Sequence, residues 1–477
     1  MPWHNPAPRA PRFVKRKIVD ISAEKNLVGR ELTSHGPEMM PVGTQLRGEG
    51  DHLAVCAAHR NERVHMTQDD RPPARISPQL YTALGLTSAS QVIATASVLA
   101  LTTIPTLVAT ALGVAPHLIG YQVSLIYAAG VVFSMLAGGW VTRIGAARVG
   151  QIALICSAVG LFVMATGSTA MIALASCVIG IGYALNNPSS SHILARLAPA
   201  RRRNLIFSIK QAGVPVGGGL IALLMPFLAA RLGWQVALLW LGVVPLLLAL
   251  AYQRVRSDWD NDRQQGSRPF AGVLNRQREI WSSPALRALS IMGFLFSGVQ
   301  LMISTFVVVM LVEQFGWTLA GAALVAALVQ AAGAFGRIFW GLVADWLQSG
   351  FLVLAFVGFL SFVSLLSFQF LETVPWIGIL AAALGGMTGS GWNGVLLAEV
   401  AKASTGQGTM TGDVLTYTFL GVMVCPSLFA TLYPFLSSFT VTFAVFSVQG
   451  LLGAALALAL FLRERGQRPV GRLRSHS

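Results

Sequence analysis

The sequence predicts an all-α membrane protein, with twelve transmembrane helices in two pseudo-symmetric six-helix bundles. Three observations carry this. Apolar stretches of about 20 residues, the length needed to cross a hydrocarbon core, recur twelve times along the chain. Arg and Lys fall in alternate links between them, the asymmetry that sets orientation in a bilayer. A long basic link separates the first six stretches from the second six. Lipid offers no water to backbone amides, so each stretch is expected to close its own hydrogen bonds as a helix. A membrane barrel would show short alternating segments instead.

Composition agrees with that class. The 477 residues are 54% hydrophobic and 11% charged, with a mean hydropathy of +0.64, a balance that excludes an ordinary soluble domain. The net charge of +15 sits in the tails and in alternate links. It reads as a topology signal and a surface for membrane lipids, and no nucleic acid is expected as a partner. Cys56, Cys156, Cys177 and Cys425 form no disulfide or zinc pattern.

Residues 1–85 are polar, rich in Pro and charge, and read as a disordered basic cytoplasmic extension. His52, Cys56, His59 and His65 lack paired ligand spacing, so no metal is expected there. Met66 opens MTQDDRPPARIS and is a candidate start of translation. The first bundle, 86–252, is expected to hold helices over Gln91–Gly113, Gln122–Val141, Val149–Gly167, Met171–Leu194, Leu205–Leu228 and Val236–Tyr252. A cytoplasmic linker, 253–288, carries Arg254, Arg256, Arg263, Arg268, Arg276, Arg278 and Arg287. The second bundle, 289–462, covers Leu289–Val312, Leu319–Trp346, Phe351–Leu371, Ile377–Ala401, Met410–Tyr433 and Val441–Leu462, ahead of a basic tail, 463–477. The positive-inside rule places both termini and the linker in the cytoplasm of a cell with this protein in its inner membrane.

The halves echo one another. At a shift of about 203, Gly138 falls on Gly341, Thr142 on Asp345, Gly182 on Gly385, Lys210 on Asp413 and Gly218 on Gly421. Repeated halves of this kind bind substrate at their interface near the bilayer midplane.

The link after the second stretch reads GGWVTRIGAAR, in which Gly138, Arg143, Gly145 and Arg148 match the loop signature of the major facilitator superfamily, with Thr142 at the usual acid. The second copy, GLVADW, keeps Gly341 and the acid Asp345 but has Trp346 at the basic position. KQAGVPVGGG in the fifth stretch is similar to a Gly/Pro signature of family exporters. Together with NNPSSSHILARLAP and GWNGVLLAEVAK it resembles the branch containing cyanate and nitroimidazole transporters. This resemblance to the major facilitator superfamily implies a twelve-helix carrier working by alternating access. It further implies that Asp345 stabilises the closed cytoplasmic side by engaging the start of the fifth helix, where Arg203, Lys210 and the positive helix terminus are available.

Charge at a helix centre costs about 2.5–3.5 kcal/mol on insertion scales, so depth selects the candidates. Counting rise per residue, Arg337 lies roughly 13 Å from the cytoplasmic end of its helix, Lys210 roughly 8 Å and Asp413 about 5 Å. Asn186, Asn187, Gln211, Gln300 and Asn393 lie at similar depth, beside Trp392. Together with Arg337 and Lys210 these are the candidate substrate-binding residues, expected to share a wet central chamber. The competing readings are that the amides satisfy one another across helix contacts and that Arg337 serves Asp345 or backbone carbonyls. Gly138, Arg143, Gly145, Arg148, Gly341, Asp345 and Asp413 are candidate gating residues. Gly213, Pro215, Gly217 and Gly218 are candidates for a hinge or a seal between halves, or for a packing motif.

No nucleotide-binding GxxxxGK[ST] occurs, and adjacent Ser191 and His192 point about 100° apart on a helix, so neither an ATPase nor an enzyme is indicated. No cofactor is expected. The sequence points to a secondary transporter of a small organic or inorganic anion, co-transported or exchanged with a proton or another ion. The alternative is an exporter of apolar or weakly basic drug-like compounds.

Overall fold

The computed structural model describes residues 77–114, 120–264, 266, 272–404 and 410–467. The metal and start-site readings, and nearly all of the expected N-terminal extension, fall outside these residues. α1 spans Pro78–Leu99, earlier than the expected Gln91. Ser77 accepts a hydrogen bond from the Leu80 amide at 3.2 Å, and Pro78 opens the helix, where its missing N–H costs nothing. The expected stretch to Gly113 is broken by Pro105, which starts a separate α2, Pro105–Leu112, after a 3₁₀ turn.

α3 (Gly120–Ile144) and α4 (Ala146–Met164) meet at Gly145, whose φ of +98 is a conformation L side chains rarely adopt. α5 (Thr169–Leu197), α6 (Arg203–Leu232) and α7 (Trp234–Trp259) complete the first bundle. The linker contains a short helix, α8 (Val273–Ser282), and the first helix of the second bundle already starts at Pro284. The second bundle comprises α9 (Pro284–Glu313), α10 (Leu319–Leu347), α11 (Gly350–Ser367), α12 (Pro375–Ala403), α13 (Thr411–Leu436) and α14 (Phe439–Gln467). Ser283, Thr318 and Ser349 cap three of these at their N-termini.

Eleven of the long helices among the described residues are long and apolar enough to cross a membrane by length and composition. α12 is the twelfth at 29 residues, its hydropathy diluted by GGMTGSGWNG. Leu223, Leu324 and Phe435 are 75%, 74% and 82% exposed, a surface suited to lipid rather than water.

The packing repeats between halves. In the first bundle α4 packs on α5, α3 on α5, α4 on α7 and α1 on α6. In the second, α11 packs on α12, α10 on α12, α11 on α14 and α9 on α13. The halves meet through α3 against α13 and through α6 against α10, two crossings exchanged by the same pseudo-symmetry. Small residues permit the close approaches. A Cβ on Gly217 would strike the Val92 carbonyl of α1, and one on Gly421 the Phe294 carbonyl of α9. Gly421 thus has Gly217 as its structural counterpart, one residue from the Gly218 expected from the sequence shift.

Candidate functional site

Two cations lie at the centre, where the bundles meet. Lys210, two turns into α6, is 0% exposed, and its Nζ donates to Asn187 Oδ1 of α5 and to Gln211 Oε1 at 3.2 Å. It does not snorkel to the helix end. Arg337 of α10 is 1% exposed, and its Nη1 donates to the Gln211 carbonyl at 2.9 Å. That carbonyl is available because its helical donor would be the amide of residue 215, and Pro215 has none. The proline expected as a hinge therefore makes an acceptor for a guanidinium of the opposite bundle.

Both side chains bond Gln211, Lys210 through the side-chain carbonyl and Arg337 through the backbone carbonyl. Among the described residues no carboxylate comes within ion-pair distance of either, and Arg337 Nε has no partner. Asp345, the candidate structural partner of Arg337, is engaged elsewhere.

One amide pair crosses the seam and a second lies within the first bundle. Gln211 Nε2 donates to Asn393 Oδ1 of α12. Asn186 Oδ1 accepts from Ser90 at 2.5 Å, and its Nδ2 donates to Gln91 Oε1 at 3.0 Å, leaving the Gln91 amide nitrogen unpartnered. Among the described residues Asn186, Asn187, Lys210 and Gln211 are buried, and their polar groups pair with neighbouring side chains, as the competing reading had it. Gln300 lies at the edge, its backbone against Gly389. Trp392 departs from the expectation: it is 1% exposed, rests on Phe296, and its indole N–H donates to Gly389 O at 2.8 Å. No polar atom of it is left for a ligand.

Sequence reasoning missed three rings beside these groups. Tyr127 of α3, Tyr183 of α5 and Phe419 of α13 meet with centroids 5.8 to 6.0 Å apart. Tyr183 stands one helical turn from Asn187, the acceptor of Lys210. The signal was present in the spacing: Tyr183, Asn186 and Asn187 share one face of a helix.

Among the described residues, the hydrogen bonds joining the bundles lie at this centre or toward the end that carries Arg143, Arg148 and Arg201–Arg203, the basic end. There Asp345 accepts from the amides of Asn204 (3.0 Å) and Leu205 (2.8 Å) and from Asn204 Nδ2 (2.8 Å). It meets the start of α6 as the family resemblance implied, but through the positive helix terminus rather than Arg203 or Lys210. Gly341 admits Ser208 at the same crossing. On the other crossing Thr142 turns back to Gly138 O at 3.0 Å, and Ser134 Oγ donates to Gly412 O at 2.5 Å.

Asp413, 0% exposed, receives Arg276 Nε of α8 at 2.9 Å and Gln277 at 3.1 Å. Arg276 also donates to Met135 O of α3 at 2.8 Å, so one linker side chain holds both bundles. Arg143 is exposed, whereas Arg148 bonds Gln151 at 2.9 Å. Gly145 leaves room for Asp260, which caps the amides of Ala147 and Arg148 at 2.7 and 3.2 Å. Gly213 and Gly217 face α1 within their own bundle, not the seam between halves. Gly218 lies against Leu99 of α1.

Residues 86–412 match the Major Facilitator Superfamily. The chain belongs to that superfamily. It is a multi-pass membrane transport protein and not an enzyme. It is 28% identical over 367 residues to the 3-(3-hydroxyphenyl)propionate transporter of Escherichia coli (strain K12), covering 72% of this chain and 86% of the relative. The carrier also matches the fold of the E. coli fucose:proton symporter FucP, with TM-score 0.65, 14% identity, and coverage of 80% of this chain and 98% of that one. FucP in its outward conformation gives the same score. The human organic anion transporter MFSD10 follows at TM-score 0.62 and 16% identity, covering 81% of this chain and 100% of that one.

Proposed function

We propose that the carrier moves a small organic carboxylate by alternating access, with Lys210 and Arg337 binding the anion. One observation carries this: a buried lysine and a buried arginine share the centre of the molecule, and no described carboxylate pairs with either. Uncompensated charge in a membrane interior is expensive and marks substrate pathways, and a bound anion supplies what the fold leaves out. The unpartnered donors, Arg337 Nε and the Gln91 amide, suit carboxylate oxygens. The E. coli relative is named for a propionate, which supports the same class. The likeness to cyanate and nitroimidazole transporters is compatible with a small anion but does not account for the aromatic groups nearby. Two adjacent cations disfavour a weakly basic cargo.

The basic end is read as cytoplasmic, with the protein in the inner membrane and both termini inside, so the closed face is the cytoplasmic one. Asn186, Asn187, Gln211, Asn393 and Gln300 complete the polar surface as the bundles part, and Asp345, Asp413 and the residues around Gly138 and Gly341 form the gate.

Purified protein in proteoliposomes, assayed by counterflow of 3-phenylpropionate and butyrate, tests the reading. Arg337→Gln is expected to weaken both by roughly 30-fold or more, the effect of truncating one member of a buried charge contact. Equal transport by the variant would sink the assignment. Run with an imposed pH gradient, the same assay reads whether a proton or another ion is co-transported or exchanged.

A further inference from the structure

The three rings straddle the seam. Tyr127 and Tyr183 belong to the first bundle and Phe419 to the second, with Phe419 centred 5.9 Å from one tyrosine and 5.8 Å from the other. Phe419 reaches this position because α3 has Gly130 there: a Cβ at 130 would lie 3.3 Å from the ring. Its planes are tilted by 52° and 41° from the tyrosines, which stand edge to face with one another. Phe419 is 3% exposed and Tyr183 9%.

Alternating access moves one bundle against the other, so Phe419 cannot keep its place between two side chains of the opposite bundle throughout the cycle. Its departure leaves a slot the size of a phenyl ring, walled by two tyrosines, with Tyr183 one helical turn from Asn187, the acceptor of Lys210. Aromatic walls reward a ring with offset or edge packing that an alkyl chain of equal length does not make.

We propose that Tyr127 and Tyr183 form a ring-recognition subsite, held by Phe419 while the α3–α13 crossing is packed, so that the preferred substrate is an aryl-substituted carboxylate. The inference rests on the carboxylate reading of Lys210 and Arg337. The acid group engages the two cations while the substrate's ring takes the place of Phe419, and the tyrosines exchange one aromatic neighbour for another. Loading thereby favours separation of the α3–α13 crossing.

The test is competitive counterflow on reconstituted full-length protein with three probes of matched charge: 3-phenylpropionate, 3-cyclohexylpropionate and butyrate. Wild type is expected to prefer the phenyl acid over the cyclohexyl acid by about tenfold. Tyr183→Leu is expected to collapse that ratio toward one, and Tyr183→Phe, which keeps the ring and should fold in any case, to retain it. A wild-type ratio near one, or a ratio preserved in Tyr183→Leu, overturns the ring subsite while leaving the carboxylate reading standing. Failure of all three acids to bind, with Arg337→Gln indifferent, overturns both.

Discussion

Pro215 shows how much one side chain decides at the centre of this carrier. It removes a helical N–H, the Gln211 carbonyl is left without its donor, and Arg337 of the other bundle takes it at 2.9 Å. Pro215→Ala returns a competing donor to that carbonyl. The helix gains a bond, and the guanidinium loses sole use of its acceptor. Melting of the variant is therefore expected at a higher temperature than wild type, while affinity for the carboxylate probe falls about tenfold, the scale of one hydrogen bond to a charged group. A variant that melts higher with unchanged affinity would show that Arg337 does not depend on this carbonyl.

At the scale of elements, α8 acts as a strap. Its Arg276 reaches Asp413 of α13 and Met135 of α3 together, and Tyr417 ties it further through Gln277 at 2.7 Å and Trp281 at 2.7 Å. Removing the guanidinium leaves a buried carboxylate without its charge partner, which costs about 3 kcal/mol or more. Arg276→Ala should loosen the basic end, seen as faster thiol labelling of Ser134→Cys in a background lacking the native cysteines. Adding Asp413→Asn should remove much of the effect, because the orphaned charge is gone. Labelling that stays as slow as in the unaltered strap would remove α8 from the gate.

The end of α7 is tied down separately. Asp262 accepts from His192 of α5 at 2.7 Å and pairs with Arg196 at 3.0 Å. The His192 hydrogen bond, outweighing burial and aided by the Arg196 charge, holds its carboxyl below the usual carboxylate range. A folded-state value below the unfolded one means that the unfolded chain binds the proton more readily. The tie therefore contributes stability at neutral pH and loses it as pH falls through that range, about 4 and below. Melting temperatures of wild type and Asp262→Asn should differ near neutrality and converge on acidification; a gap that is constant with pH would contradict the tie.

For the whole molecule, the parts written as long-range contrast were legible in the sequence. Apolar length against basic links gave the helices and the repeat, and a charge in an apolar helix exposed Arg337 and Lys210. α1 was misplaced because its inner face carries Thr87, Ser88, Ser90 and Gln91, so its first turns look like the polar tail that precedes them. Phe419 and the tyrosines were missed because a ring in an apolar helix offers no contrast. Arg276 was read as one more topology charge in a basic link, since nothing local tells a strap from a solvated arginine.

The two crossings between the bundles are equivalent in place but not in chemistry. One is fastened by a carboxylate on a helix terminus, the other by a single hydroxyl and an arm borrowed from the linker. Such a joint is not expected to open evenly like a pair of jaws. It is expected to peel, the weaker flank parting while the stronger one still serves as the pivot, which would give the motion a handedness that the twofold scaffold alone lacks.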